Sequence, residues 1–184
     1  MNLGSALRGS GRVAESVHAF RRALVLAPDR ADVHSGLGAA LAEMDDPANA
    51  LKELETALKL DPHYADALVN LGLVNMRAGN APAALACLER ARQLSPNFLP
   101  ALTASGSVLM QLGRFDQAAE VLGKAATLAP SDARLRSNLG GALLAAGKLA
   151  EAEAQLREAA RIAPDLEPVR ANLKLLERHR RKSR

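Results

Sequence analysis

A repeat of 34 residues is the sequence feature that most constrains how this chain folds. In the stretch 136–164, two apolar runs of helical spacing flank Gly147, and a proline closes the second run. The same skeleton returns in the segments 1–30, 31–64, 65–98, 99–132 and 133–166, of which the first is four residues shorter. A fixed period of this length arises when one helix-turn-helix repeat is stacked on the next. The sequence therefore predicts an all-α chain of five helix pairs.

Small residues at fixed positions predict that the two helices of a repeat lie close together. We number the positions of each repeat from one, and the shortened first repeat starts at position five. The twentieth position is then alanine or serine, the twenty-fourth is leucine or phenylalanine, and the twenty-seventh is always alanine. The eighth position is always glycine, as Gly4, Gly38, Gly72, Gly106 and Gly140. A glycine inside a helix costs about 1 kcal/mol relative to alanine. Five glycines in register therefore indicate a close approach that a larger side chain would prevent.

Other residues mark the ends of the predicted helices. A left-handed residue is expected to end the first helix at Gly11, Gly79, Gly113 and Gly147. The second repeat has Asp45-Asp46-Pro47 instead, where an aspartate can cap the next helix and the proline can occupy its first turn, and Pro82 is read in the same way. The second helices are closed by Pro28, Pro62, Pro96, Pro130 and Pro164. The residues expected to cap the helices that follow are Asp29, Asn97, Ser131 and Asp165.

This pattern of small, leucine, alanine and proline positions resembles the tetratricopeptide repeat family over nearly the whole chain. The chain departs from the family pattern at two positions. The large aromatic residue usual at position four is replaced by His34, Leu68, Leu102 and Arg136. The tyrosine usual at position eleven is replaced by Leu7, Leu41, Asn75, Leu109 and Leu143. The resemblance implies a right-handed superhelical solenoid of antiparallel helix pairs. A capping helix is expected over 167–178, followed by a basic tail over 179–184. Asn75 should need a hydrogen-bond partner if it is buried.

The resemblance also implies that the first helices line a concave groove. Positions two, five, six, nine, twelve and thirteen would face inward, and such a groove suits a peptide or helix of a partner. Within it, Val69, Leu73, Met76, Met110 and Leu144 are expected to form an accessible apolar strip. The predicted groove residues are Asp66, Val69, Asn70, Leu73, Met76, Arg77, Thr103, Ser107, Met110, Gln111, Arg134, Asn138 and Leu144.

Asparagine recurs at position six, as Asn2, Asn70, Asn138 and Asn172. Sugar-transferase relatives of the family use an inward row of asparagines to hold a peptide backbone, and a carboxamide can both donate and accept a hydrogen bond. The alternative is that these asparagines bond neighbouring helices, and the sequence leaves both readings open. The family's clamp for a terminal carboxylate is not expected, because the inward cations are chiefly Arg8, Arg77 and Arg134, more than one repeat apart.

Composition and motifs restrict the other classes of function. Cys87 is the single cysteine, the four histidines lack metal-ligand spacing, and no phosphate loop or catalytic motif is present. We therefore expect no enzyme, no metal and no cofactor. The net charge of +4 comes from the end of the chain, because without residues 178–184 there are 19 basic and 20 acidic residues. Contact of this tail with nucleic acid or anionic membrane is not the expected function. No apolar run is long enough to cross a membrane and no signal peptide is recognised, so a cytoplasmic location is expected.

Three functional hypotheses remain. The first is a non-catalytic scaffold that binds a partner segment in the groove for the assembly or regulation of a complex. The second is the substrate-selecting repeat region of a larger multidomain enzyme, such as a bacterial glycosyltransferase. The third is self-association through Leu3 and Leu7, which lie on a face with no preceding repeat in the sequence. We expect either that the repeats continue in a longer array or that this face meets another molecule.

Overall fold

The computed structural model describes residues 3–182, which contain eleven α-helices and no β-strand. The helices are α1 (Leu3–Gly9), α2 (Val13–Leu26), α3 (Ala31–Glu43), α4 (Pro47–Leu60), α5 (Ala65–Arg77), α6 (Ala81–Leu94), α7 (Leu99–Gln111), α8 (Phe115–Leu128), α9 (Ala133–Ala145), α10 (Leu149–Ile162) and α11 (Glu167–Lys182). The chain divides into an N-terminal unit, Met1–Pro96, and a C-terminal unit, Asn97–Arg184. None of the described helices combines the length and the hydropathy needed to cross a membrane.

The N-terminal unit consists of the helix pairs α1/α2, α3/α4 and α5/α6. Helix α3 lies at its centre and packs against α1, α2, α4 and α5. Its core is formed by aliphatic side chains around one phenylalanine, among them Val17, Phe20, Val33, Leu37, Leu41, Leu54 and Val74. Leucine, valine and alanine form the rest of this core.

The C-terminal unit consists of the pairs α7/α8 and α9/α10, followed by α11. Helix α8 packs against α7 and α9, and α11 packs against both α9 and α10. The largest fully buried side chains of this unit are Leu102, Val108, Leu122, Leu156 and Val169. The predicted all-α fold of paired helices is confirmed in each unit.

A glycine of each first helix touches a leucine of the second helix. If Gly38 and Gly72 carried a Cβ atom, it would lie 2.7 Å from the Cγ of Leu54 and 2.8 Å from the Cγ of Leu88, respectively. In the C-terminal unit, the same atom would lie 2.5 Å from Leu122 at Gly106 and 2.6 Å from Leu156 at Gly140. These distances are shorter than a van der Waals contact, and the leucines are buried. The predicted close approach of the two helices is confirmed.

The first repeat uses a larger side chain at the leucine position. Phe20 is buried, and its ring occupies the space that a Cβ of Gly4 would need, with Cε1 at 2.7 Å. The same ring lies against Gly36 of α3, whose Cβ would be 2.5 Å from the ring atom Cζ. Phe20 therefore fits because two glycines, one from each neighbouring first helix, leave room for its ring. This explains why glycine replaces asparagine at position six of the second repeat.

The turns between the paired helices follow the prediction. Four glycines have positive φ angles between 69° and 78°, namely Gly11, Gly79, Gly113 and Gly147. In the second repeat, Asp45 takes this conformation with a φ of 60°, which carboxylate and carboxamide residues tolerate better than most others. The carboxylate of Asp46 accepts a hydrogen bond from the backbone N–H of Asn49, and Pro47 begins α4 as expected.

The predicted caps of the first helices are wrong by one residue. The cap position is the last residue of the preceding repeat, because α3, α5, α7 and α9 begin immediately after it. Asp132 caps α9 by accepting from the backbone N–H groups of Arg134 and Leu135 at 2.8 and 3.1 Å. The equivalent residues in the other repeats form no side-chain cap, and they are Arg30, Tyr64 and Phe98. Asp29, Asn97 and Ser131 thus precede the cap position, and Asp165 accepts from Arg170 instead.

Polar residues at position four tie a repeat to the end of the preceding one. His34 hydrogen-bonds through Nε2 to the carbonyl oxygen of Pro28 at 2.8 Å and through Nδ1 to Oε2 of Glu53 at 2.7 Å. In the last repeat, Arg136 donates from Nε to the carbonyl of Pro130 at 2.8 Å and from Nη1 to Oε1 of Gln155 at 3.0 Å. Hydrogen bonds therefore replace the aromatic packing usual at this position.

The last helix is longer than predicted. It continues through Lys182, whereas the sequence predicted its end at residue 178 and a tail after it. Arg180 donates from Nη2 to the carboxylate of Glu153 on α10, and the Nδ1 of His179 hydrogen-bonds to the carbonyl of Leu175. The basic residues after position 178 thus belong to the helix, and two of them have acceptors on α10 or on the preceding turn. Residues 183 and 184 of the predicted tail lie outside the described part of the chain.

We expect alanine at two glycines of the C-terminal unit to have opposite effects. Gly106→Ala should lower the free energy of unfolding by about 1–2 kcal/mol, because its methyl group overlaps the buried Leu122. The energy cost of this overlap exceeds the stability gained from the higher helix propensity of alanine. Gly123→Ala should raise it by about 0.5–1 kcal/mol, because nothing lies within 4 Å of the new methyl group. Urea unfolding followed by circular dichroism measures both changes. Shifts of the same sign would contradict a steric role for Gly106.

Candidate functional site

One side of α5 remains accessible after the helix has packed against its neighbours. Asp66, Asn70, Leu73 and Arg77 are partly or fully exposed, at spacings of three and four residues that place them on one side of the helix. Gly72 lies on another side and is buried against α6. We call the residues at positions two, six, nine, twelve and thirteen of a first helix its inner stripe. On α5 this stripe also includes the half-buried Met76.

Helices α7 and α9 of the C-terminal unit carry similar stripes. On α7, Ser107 and Gln111 are exposed and Met110 is half-buried, while Thr103 lies half-buried one turn before Ser107. The hydroxyl groups of Thr103 and Ser107 donate to carbonyl groups of their own helix. On α9, the accessible members of the stripe are Arg134, Asn138, Gly141 and Ala145. Most of the predicted groove residues therefore lie on these stripes, and their binding role stays a prediction.

Two of the predicted groove residues are not accessible. Val69 is 5% exposed and Leu144 is 3% exposed, so neither belongs to an exposed apolar strip. Position five, which Val69 occupies, is where one first helix contacts the next, as its equivalents Ser35 and Ser137 show by hydrogen-bonding to neighbouring first helices. Leu144 lies on α9, against which α11 packs. The expected strip is thus reduced to Leu73 and Met76 in the N-terminal unit and Met110 in the C-terminal unit.

The asparagines at position six form hydrogen bonds between helices. Asn70 donates from Nδ2 to Oγ of Ser35 at 3.1 Å, and Asn172 donates to Oγ and to the carbonyl oxygen of Ser137, both at 3.0 Å. Each pair is separated by 35 residues, one more than the repeat. For Asn70 and Asn172, this supports the interpretation that the asparagines bond neighbouring helices. Asn138 has no hydrogen-bond partner in the described part of the chain, and Asn2 lies outside it.

The sequence did not predict the serine partners of these asparagines, Ser35 and Ser137. Ser35 is 2% exposed and Ser137 is fully buried. A serine that precedes an asparagine by one repeat and one residue is a signal that the sequence contains in both places. Asn75, for which the sequence suggested no partner, donates from Nδ2 to the carbonyl of Leu71 within its own helix at 2.9 Å.

The charges on the inner stripes differ in how far they are neutralised. On the N-terminal unit, Arg77 donates from Nη1 to the carbonyl of Ala42 at 3.2 Å, and Nε of Arg8 lies 3.9 Å from Oε1 of Glu43. The hydrogen bonds from Arg30 hold the pKa of the Asp32 carboxyl below its usual value. On the C-terminal unit, Arg134 is exposed and forms no ion pair with any described residue.

Two further features bear on chemistry and on self-association. Cys87 is half-buried, and burial raises the pKa of its thiol. No group of three metal-ligating side chains comes together among residues 3–182. A cleft between α1, α2 and α3 is lined by the apolar Leu3, Leu7 and Leu26, of which Leu3 is 69% and Leu26 87% exposed, and also by polar and charged residues. The polar and charged residues are Glu15, His18, Arg22 and Arg30.

Paired helices that repeat in each unit, with an accessible stripe on α5, α7 and α9, define a helical-repeat protein of the type that acts as a scaffold for protein interactions. The sequence model of the tetratricopeptide repeat family matches residues 1–44, 40–97 and 103–167, so the chain belongs to this family. No curated protein matches the chain.

Solved structures of other repeat proteins are similar to this chain over most of its length. A tetratricopeptide repeat protein of Thermus thermophilus, TTC0263, is 26% identical with a TM-score of 0.76, and the match covers 95% of each chain. MamA is 25% identical with a TM-score of 0.74 over 88% of this chain and 95% of its own. PilF of Pseudomonas aeruginosa is 21% identical with a TM-score of 0.84 over 98% of this chain and 83% of its own, a likeness of fold alone.

The hydrogen bond between Asn70 and Ser35 should be measurable as a coupling energy. Asn70→Ala should lower the free energy of unfolding by about 1 kcal/mol, because the buried Ser35 hydroxyl loses its partner. In a double-mutant cycle with Ser35→Ala, the two changes should be non-additive by about 0.5–1 kcal/mol. Asn138→Ala is the matched control and should change stability little. Additive effects of the first pair would show that the bond contributes nothing.

Proposed function

We propose that this chain is a non-catalytic scaffold that binds a peptide or helix segment of a partner protein on the inner stripes of its first helices. Such binding would serve the assembly or regulation of a larger complex. The observation that carries the proposal is the accessibility of one side of α5, α7 and α9, whose other sides are used for packing.

The stripe of α5 supports binding in the N-terminal unit. Leu73 and Met76 are half-buried, so each has apolar surface that a partner can cover. Methionine adapts its shape to different apolar partners. Asp66 and Arg77 lie at the two ends of the same stripe and provide charged groups that fix the orientation of a bound segment. A segment with one apolar anchor and flanking charges of both signs fits this stripe.

The stripe of α7 supports binding in the C-terminal unit. Met110 is its half-buried apolar residue, with the exposed Ser107 and Gln111 beside it. Ser107 directs its hydroxyl proton to its own helix, which leaves oxygen lone pairs for a donor on a bound segment. The two units thus each offer an apolar side chain surrounded by groups that can hydrogen-bond a peptide.

The alternative, the substrate-selecting region of a multidomain enzyme, rests on a row of asparagines that hold a peptide backbone. Asn70 and Asn172 each donate an amide hydrogen to a serine of the neighbouring first helix. Only Asn138 of the described asparagines at position six keeps its amide hydrogens unbonded. This arrangement favours the scaffold over the alternative.

Charge introduced at the apolar residues should abolish partner binding. We expect Leu73→Glu and Met110→Glu together to lower the amount of partner retained in affinity capture from the source lysate at least tenfold, because a buried carboxylate costs several kcal/mol. The matched control is Leu60→Glu with Leu128→Glu, since both leucines are exposed at the ends of second helices. Helicity of both variants is compared by circular dichroism. Equal capture by the inner-stripe variant and the native chain would refute the proposal.

Self-association is a second candidate because the cleft at α1, α2 and α3 contains exposed apolar side chains. Leu3, Leu7 and Leu26 line it, and two copies that covered this surface would remove it from water. A dimer in light scattering is therefore expected, and Leu26→Glu should shift it to the monomer. A monomeric mass for the native chain at high concentration would exclude this contact.

A further inference from the structure

Helix α11 continues the row of first helices in the C-terminal unit. The hydrogen bond from Asn172 to Ser137 joins α11 to α9, and it has the same atoms and the same separation of 35 residues as the bond from Asn70 to Ser35. Helix α11 therefore docks on α9 as α5 docks on α3. It follows that Leu175 and Arg178 occupy positions nine and twelve of an inner stripe.

The combined stripe of α9 and α11 carries positive charge and no acidic residue. Arg134 and Arg178 are exposed, and neither guanidinium group forms an ion pair or hydrogen bond within the described part of the chain. Two other arginines of α11 are paired, since Arg170 binds Asp165 and Arg180 binds Glu153. An unpaired guanidinium offers five donors that match a carboxylate in a planar fork. The two free guanidinium groups are therefore available to an acidic ligand.

The space between these cations suits a main chain in extended form. Ala145 is exposed and small, so a backbone can approach the α9 stripe closely at this residue, whereas Gly141 lies against the carboxamide of Asn172 on α11. Asn138 lies between Arg134 and Gly141, half-buried and without a hydrogen-bond partner among the described residues, and its carboxamide can both donate to and accept from a peptide group. Leu175 is 40% exposed and offers an apolar contact to one side chain of the ligand.

We propose that the stripe of α9 and α11 binds an acidic, extended segment of a partner protein. This rests on the proposed function and names the chemistry of the segment that the C-terminal unit selects. Charge complementarity selects an acidic segment over a basic one, because like charges across an interface repel each other. A basic segment would face Arg134 and Arg178 with no acidic residue between them. The stripe of α5 differs, since it contains Asp66, and its Arg77 already donates to the carbonyl of Ala42.

A protein segment fits this stripe better than a nucleic acid does. Single strands are bound by aromatic side chains on which bases stack, together with cations that follow the phosphate backbone. The aromatic residues of the C-terminal unit are Phe98 and Phe115, and neither lies on the stripe of α9 or α11. The two free cations are separated by apolar and carboxamide groups, an arrangement that favours a peptide with acidic residues around an apolar one.

The experiment selects ligands from a displayed library of random peptides, each of about 16 residues, on the full chain. Three proteins are compared: the native chain, Arg134→Ala/Arg178→Ala, and the control Arg21→Ala/Lys124→Ala, which removes the same charge from exposed positions of second helices that form no ion pair with any described residue. The peptides enriched on the native chain should carry net negative charge. Their Kd, measured by fluorescence anisotropy, should rise about five- to tenfold in the first variant and less than about twofold in the control.

The outcomes separate this inference from the function on which it rests. Enriched peptides that are neutral or basic, or an unchanged Kd in Arg134→Ala/Arg178→Ala, would overturn the acidic preference. If such peptides are nevertheless lost in Leu73→Glu or Met110→Glu, the scaffold function stands. A labelled single strand of about 12 nucleotides that competes for the same arginines with higher affinity than the peptides would assign the stripe to nucleic acid. A library with no enriched peptide would contradict both proposals.

Discussion

The contact between a glycine of each first helix and a leucine or phenylalanine of its second helix determines the rest of the structure. Gly72 and Leu88 illustrate it, because a single added carbon at the glycine would come within 2.8 Å of the leucine side chain. The contact fixes both the distance between the two helices and the rotation of the first helix about its axis. Since the glycine side must face the second helix, the stripe at Asp66, Asn70 and Leu73 remains accessible. Packing and the candidate binding surface thus follow from the same constraint.

A second layer of contacts joins one first helix to the next and limits which residues a partner can reach. Position five is used for packing or bonding between first helices, as Ser35 and Ser137 show, and the carboxamide opposite it is committed in Asn70 and Asn172. A partner can therefore reach only the residues on either side of the row of contacts formed by positions five and six. In the C-terminal unit these include the unpaired guanidinium of Arg134, so stability and recognition depend on adjacent positions of one helix.

The sequence was sufficient for the helix pairs and insufficient for the groove, for a physical reason. The glycine at position eight and the turn residue at position fifteen act within one repeat, so their consequences can be predicted from local chemistry, as the contact of Gly38 with Leu54 and the turns at Gly79 and Asp45 confirm. The burial of Val69 and Leu144 depends on the neighbouring helices, and their apolar character alone suggested either a core or an exposed strip. The position of a cap depends on where the first helical turn begins, and one residue separates Ser131 from the true cap Asp132. The length of α11 depended on Glu153, an acceptor 27 residues away from Arg180.

Phe20 has a consequence for how such a chain can change during evolution. Its ring fits because Gly36, in the following repeat, has no side chain, whereas the third and fifth repeats have asparagine at that position. A recombination event that placed one of those repeats after the first would force an asparagine side chain into the ring. The modules are therefore not freely exchangeable, although they share one period. The first repeat requires that the repeat after it has glycine at this position.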